Sequence, residues 1–103
     1  MRVLSSGPGQ RDERPATEIL HDEASVRVVM FHLKPGQQVR PHTSPSSVLV
    51  TVLSGHGEFT GADDATELNA GDSAVYEPGE VHGMVAGTEP LRFLAIITPR
   101  PGG

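Results

Sequence analysis

The chain contains no cysteine, so disulfides and thiolate metal ligation are both excluded. It has no run of lysine or arginine, and its formal net charge is −5 with a pI of about 5.4. Phosphate backbones and anionic lipid surfaces are poor partners for such a surface, so no nucleic-acid or membrane role is expected. No stretch approaches the roughly 18 to 20 apolar residues of a membrane span. Met1 to Gly7 also lacks the apolar run of a signal peptide. The expected location is the cytoplasm. Helical periodicity is missing too, because a glycine or proline interrupts every candidate window before three turns are complete. There is no internal repeat.

What is present has the size of one domain with one core, at 103 residues and 10.9 kDa. Hydrophobic residues make up 36% and charged residues 20%, a balance that favours a folded globular domain over a disordered chain. Twelve glycines and nine prolines divide the sequence into short pieces. Between them lie β-branched apolar runs: Val26 to Leu33, Val48 to Leu53, Ala74 to Tyr76 and Leu91 to Thr98. They end in turn chemistry at Lys34-Pro35-Gly36, Ser54-Gly55, Pro78-Gly79 and Pro99. Short strands at this spacing predict an all-β sandwich or barrel. A hairpin turn is expected from Thr60 to Ala65, between strands at Gly57–Phe59 and Thr66–Leu68.

The organisation that follows is a flexible polar lead-in over residues 1–16, a barrel over 17–99 and a fraying tail over 100–103. Thr17 to His21 reads either as a first strand or as an arm lying on another surface. Val26–Leu33 and Leu91–Thr98 are apolar on both faces, so one face lines the interior and the other needs cover. That cover is a second sheet, the N-terminal arm or another subunit. A homodimer is expected, with Val26, Val28 and Met30 covered and the arm around Thr17–His21 pairing along a partner's sheet edge.

The densest pattern lies in Gly71 to Gly83. A Gly71-Asp72 turn opens a short apolar strand, Pro78-Gly79 closes it, and His82 follows. Upstream stand Gly36, His42 and an apolar strand ending at Gly55. Together these residues resemble the two motifs of the cupin family. The resemblance spans about Val26 to Pro99 and implies an antiparallel double-stranded β-helix, the jelly-roll or cupin barrel. In that family the first motif carries a second histidine and a glutamate, and here those positions fall on Ser44 and Val48. In the second motif, Glu77 and Ala86 replace a proline and an asparagine.

The family pattern implies a divalent metal such as Zn, Ni, Mn or Fe, with positions left open for substrate. Histidines two apart on one strand point to one face. A carboxylate from the next strand and a histidine from the opposing sheet complete such a site. His42 and His82 are the candidate ligands that remain. A serine hydroxyl is a poor ligand at neutral pH and a valine is none. The alternatives are interior histidines bonded to each other, to Ser44 or to water, and acid–base or ligand-orienting work without metal.

With valine in place of glutamate, the resemblance implies a largely apolar pocket. Its expected lining is His42, Ser44, Val48, Val50, His82, Met84, Leu94 and Ile96, a few polar groups among apolar walls. His32 is expected on the outer face, His56 exposed in a tight turn, and His21 in the arm without a motif partner. Glu77, Glu80 and Arg40 are read as mouth or surface residues, and Asp72 as a turn cap. The expected function is the binding or sensing of a small-molecule ligand. Rival readings are a metal-dependent dioxygenase or isomerase using His42 and His82 plus water, and a metal-free oligomerisation scaffold.

Overall fold

A computed structural model of the chain describes residues 1–4 and 15–101. Most of the expected lead-in and the last two residues lie outside these described residues. Nine strands follow one another among them: β1 (Ala16–Glu23), β2 (Val26–Leu33), β3 (Gln38–His42), β4 (Ser47–Ser54), β5 (His56–Thr60), β6 (Ala65–Asn69), β7 (Ser73–Tyr76), β8 (His82–Ala86) and β9 (Leu91–Thr98). They form a five-stranded sheet in the order β1-β2-β9-β4-β7 and a four-stranded sheet in the order β3-β8-β5-β6. The paired strands in both sheets run antiparallel. No helix among the described residues is long and apolar enough to cross a membrane.

The antiparallel register of β2 on β9 sets the faces of the large sheet. Phe31 lies opposite Phe93 and Leu33 opposite Leu91, and these side chains enter the core between the sheets. Met30 opposite Leu94 and Val28 opposite Ile96 take the outer face, because successive strand residues alternate. Phe93 is fully buried and ties the interior together. It stacks on Phe31 at 4.7 Å between ring centroids and meets Phe59 of the other sheet edge-on at 5.3 Å. Aromatic pairs of this geometry are worth about 0.5–1.5 kcal/mol beyond the area they bury.

The segment Thr17–His21 belongs to β1, which pairs with β2 of its own chain and carries a bulge between Ile19 and His21. Arg100 and Pro101, assigned to the tail by sequence, are tied back onto the barrel. The Arg100 N–H donates to the Ala24 carbonyl at 3.2 Å, and its guanidinium lies 3.4 Å from Asp22. Asp22 also receives Arg27, whose hydrogen bond is the main reason its carboxyl stays below the usual range.

Candidate functional site

Two local structures bring His42 and His82 together. The first is the turn ahead of β8. Gly79 adopts a φ of 83°, a left-handed conformation that a side chain would strain. The Glu80 N–H donates to the Glu77 carbonyl at 3.0 Å, and the Glu77 N–H donates to the Glu80 carboxylate at 2.9 Å. Glu80 is thereby a staple of its own turn. The second is the edge strand β3, where Pro41 is tolerated because an edge leaves ladder positions open. Its register on β8 shifts between Val39 and His42. Gly83 lets the proline approach, since a Cβ there would meet Pro41 at 3.1 Å.

The outcome is that His42 and His82 are directly opposed across β3 and β8. Their rings meet edge-to-face, with centroids 4.1 Å apart and planes at 65°. The resemblance had implied that His82 comes from the opposing sheet. Instead both histidines occupy neighbouring strands of the four-stranded sheet, and the large sheet supplies Val48. His82 is buried, whereas His42 is at the exposed rim.

Each imidazole is anchored in the same way. His42 Nδ1 lies 2.9 Å from the Arg40 carbonyl, and His82 Nδ1 lies 3.3 Å from the Glu80 carbonyl. A carbonyl only accepts, so both Nδ1 atoms carry the proton and donate it. The neutral rings therefore keep their lone pairs on Nε2, and among the described residues no hydrogen bond engages either Nε2. Burial, and then the neighbouring His42, push the His82 pKa below its ordinary value, against the pull of the Glu80 carbonyl. Tyr76 completes the group, its ring 5.1 Å from that of His82. Burial, assisted by Glu80 and Asp64, pushes its hydroxyl up to about 12.

Below the two rings is a cavity of about 270 Å³. His42, Ser44, Val48, His82 and Met84 line it, as the sequence led us to expect. Three other expected residues do not. Val50 faces inward but is fully buried in the packed core and does not line the cavity. Leu94 and Ile96 are on the outer face of β9, and Phe93, Ala95 and Ile97 take the inward positions. An apolar run on both faces hides its parity, and the antiparallel pairing of Phe31 with Phe93 is the signal that resolves it. Val39 and Phe31 complete the apolar wall.

Ser44 lies past the end of β3, and its hydroxyl accepts from the Ser46 N–H at 3.1 Å. Its carbonyl accepts from Gly79 at 2.8 Å, which joins the loop to the turn that positions His82. A broader groove of about 920 Å³ runs between Pro15–Thr17 and Pro35–Arg40. Arg40 lines that groove and not the cavity. The smaller cavity is the candidate site because it alone of the two is lined by His42 and His82.

The remaining histidines have structural partners. His32 is on the outer face, 3.8 Å from Glu18. His56 was expected exposed in a turn, but it opens β5 with its ring packed over Gly87, 3.2 Å from the Thr88 hydroxyl. His21 accepts from Arg2 through Nδ1 and meets Glu23 through Nε2, each at 2.8 Å. Asp72 caps its turn by accepting from the Asn69 N–H at 2.8 Å.

A metal centre of the family's kind needs more donors than the two imidazoles. Ser44 and Val48 supply none, and the described residues contain no cluster of three or more histidine, cysteine or acidic side chains able to hold a metal. The donor set around the two histidines, among the described residues, falls short of a resident metal.

A family model described as Cupin domain matches residues 29–97. No curated protein matches the chain. Among solved structures, it is similar to an uncharacterized conserved protein with a double-stranded β-helix domain from Klebsiella pneumoniae subsp. pneumoniae MGH 78578. The identity is 32% and the TM-score 0.84, over 91% of this chain and 84% of that one. An RmlC-like cupin from Shewanella frigidimarina NCIMB 400 is similar at 18% identity and TM-score 0.84, over 97% and 93% of the two chains. A predicted oxalate decarboxylase from Thermotoga maritima is similar at 24% identity and TM-score 0.78, over 84% and 81%. These two likenesses concern the fold alone.

Proposed function

The chain belongs to the cupin domain family, with its antiparallel double-stranded β-helix, and from that premise we propose that it binds or senses a small organic molecule in the cavity under His42 and His82. One observation carries the reading. Two imidazoles with unengaged Nε2 atoms stand side by side over an apolar cavity, and apolar walls with a few placed polar groups are the make-up of a ligand site. A volume of about 270 Å³ is just under the usual drug-sized range of roughly 300–1,000 Å³, so the occupant is compact. An open cavity also counts against a barrel that serves only as a scaffold.

The chain carries its own reporter. Tyr76 is the only tyrosine, there is no tryptophan, and its ring is 5.1 Å from His82. A library of small molecules screened by tyrosine fluorescence and melting temperature should yield ligands that stabilise the wild type by mass action. Ala95→Leu, which fills the cavity wall, should abolish both responses. Ligands that stabilise the two proteins equally would show that binding is elsewhere.

A second reading is a metal-dependent enzyme that draws its missing ligands from water or substrate. In its favour, metal-binding histidines commonly donate their other ring N–H to a carbonyl, as both rings do here. Metal analysis of untagged protein separates the two, since near-stoichiometric metal favours the enzyme and its absence favours the binding module. We also propose a homodimer. Val28, Leu94 and Ile96 are only half-buried on the outer face of the large sheet, although Met30 beside them is covered within one chain. Sedimentation should give about twice 10.9 kDa, and a mass near 10.9 kDa would contradict it.

A further inference from the structure

We propose a second site, a cradle for a hard divalent cation such as calcium, built from Asp64, Glu80 and Tyr76 and separate from the cavity under the histidines. These three residues line a pocket of about 130 Å³ beside Gly61 and Phe59, and none of them lines the histidine cavity.

The first support is where the carboxylates point. A Cβ added at Gly61 would lie 2.9 Å from Asp64 Oδ1 and 3.1 Å from Glu80 Oε2, so the two groups converge over that glycine. Gly61 is not in the left-handed region, and what its missing side chain leaves open is the space between the two carboxylates. They reach it from turns distant in sequence, Asp64 from the one joining β5 and β6 and Glu80 from the one ahead of β8. Glu80 Oε1 accepts from the Glu77 N–H, and Oε2 is left for a ligand.

The second support is an unanswered group. Tyr76 is only 5% exposed, yet its hydroxyl has no hydrogen-bond partner among the described residues. It lines the same pocket and stands in the field of both carboxylates. A phenol buried to this degree normally finds a partner. A bound ion, or a water of its shell, supplies one.

The third support is charge. Between Pro41 and Leu91 the chain carries eight carboxylates and no lysine or arginine. Among the described residues neither Asp64 nor Glu80 forms an ion pair. Two carboxylates match a double positive charge, whereas a monovalent ion leaves one of them unneutralised. The donors are all oxygen, which favours calcium or magnesium over softer metals. A third acidic or histidine side chain is missing among the described residues, so the ion is weakly held and exchangeable, with water completing its shell. Held by both carboxylates, it ties the β5–β6 turn to the turn that positions His82.

The test titrates calcium chloride into chelator-treated, untagged full-length protein, by calorimetry and by tyrosine fluorescence, with sodium chloride holding the ionic strength constant. Imidazole is a poor ligand for calcium, so the histidine pair does not compete. Tyr76 is the only tyrosine and there is no tryptophan, so the emission reads this site. One ion should bind with a dissociation constant of about 0.1–1 mM, and the emission should change along the same isotherm. Asp64→Asn/Glu80→Gln should weaken binding at least about tenfold. The glutamine keeps an acceptor for the Glu77 N–H. Glu58→Gln/Glu67→Gln removes a directly opposed pair of carboxylates outside the pocket, and should leave the affinity within about twofold. No saturable binding by about 10 mM calcium, binding without any change in Tyr76 emission, or equal losses in the two double variants would each overturn the proposal.

Discussion

His42 and His82 face each other across two neighbouring strands with ring centroids 4.1 Å apart, and each donates its Nδ1–H to the carbonyl two residues before it. A pair locked in this way has a fixed tautomer and a fixed free nitrogen.

Gly79 orients the strand that carries His82, and its cost of substitution is purely conformational. A Cβ there would meet nothing within 4 Å, yet the φ is 83°. Gly79→Val should lose about 1–3 kcal/mol of stability, and Gly79→Asn less, because asparagine tolerates the left-handed region better. Chemical denaturation checks the order. A valine variant as stable as the wild type would mean that the turn relaxes freely.

Stability should fall as pH drops through the histidine range. In the folded chain burial and His42 hold the His82 pKa below 6.5, whereas the unfolded chain takes up that proton near 6.5. Below the unfolded value the unfolded state therefore binds more protons, so the contribution present above that value is lost as pH falls through the folded one. Asp22 and Glu23, held below 3.8 and 4.5, act only in a more acidic window. Urea unfolding from about pH 7.5 to about pH 5.5 should show this slope. His82→Gln should flatten it, and an unchanged slope in that variant would refute the assignment.

Ser44 and Val48 line the cavity at the positions where the family's other ligands would stand. Val48→Glu alone should destabilise metal-free protein by about 1–3 kcal/mol, since it buries a carboxyl group without a designed partner. Adding Ser44→His should give the double variant at least about tenfold higher affinity for Ni or Zn than the wild type by calorimetric titration. Equal affinities would show that these backbone positions do not converge with the two histidines.

The sequence made the strands and turns legible because their signals are local. Val26–Leu33 and Leu91–Thr98 match β2 and β9 residue for residue, and Pro78-Gly79 marks its turn. Part of the cavity lining was also legible, through the spacing that identifies His42, Ser44, Val48 and His82. Leu94 and Ile96 were misassigned because a strand apolar on both faces carries no parity, and only the pairing of Phe31 with Phe93 supplies it. His56 was misjudged for a different reason. Its neighbours Ser54-Gly55 look like an exposed turn, but the packing of its ring over Gly87 is a contact distant in sequence.

Long-range ¹H–¹⁵N NMR of the imidazoles, recorded on metal-free protein before and after saturation with a ligand found in the small-molecule screen, tests the central claim most directly. In the free protein His42 and His82 should both show the Nδ1-protonated tautomer. His21 should show the opposite one, since its Nδ1 accepts from Arg2 while its Nε2 meets the Glu23 carboxylate. On saturation the Nε2 resonances of His42 and His82 should shift together, while those of His32 and His56 stay in place. Nε2-protonated rings at His42 and His82, or Nε2 resonances unmoved at full saturation, would contradict the account.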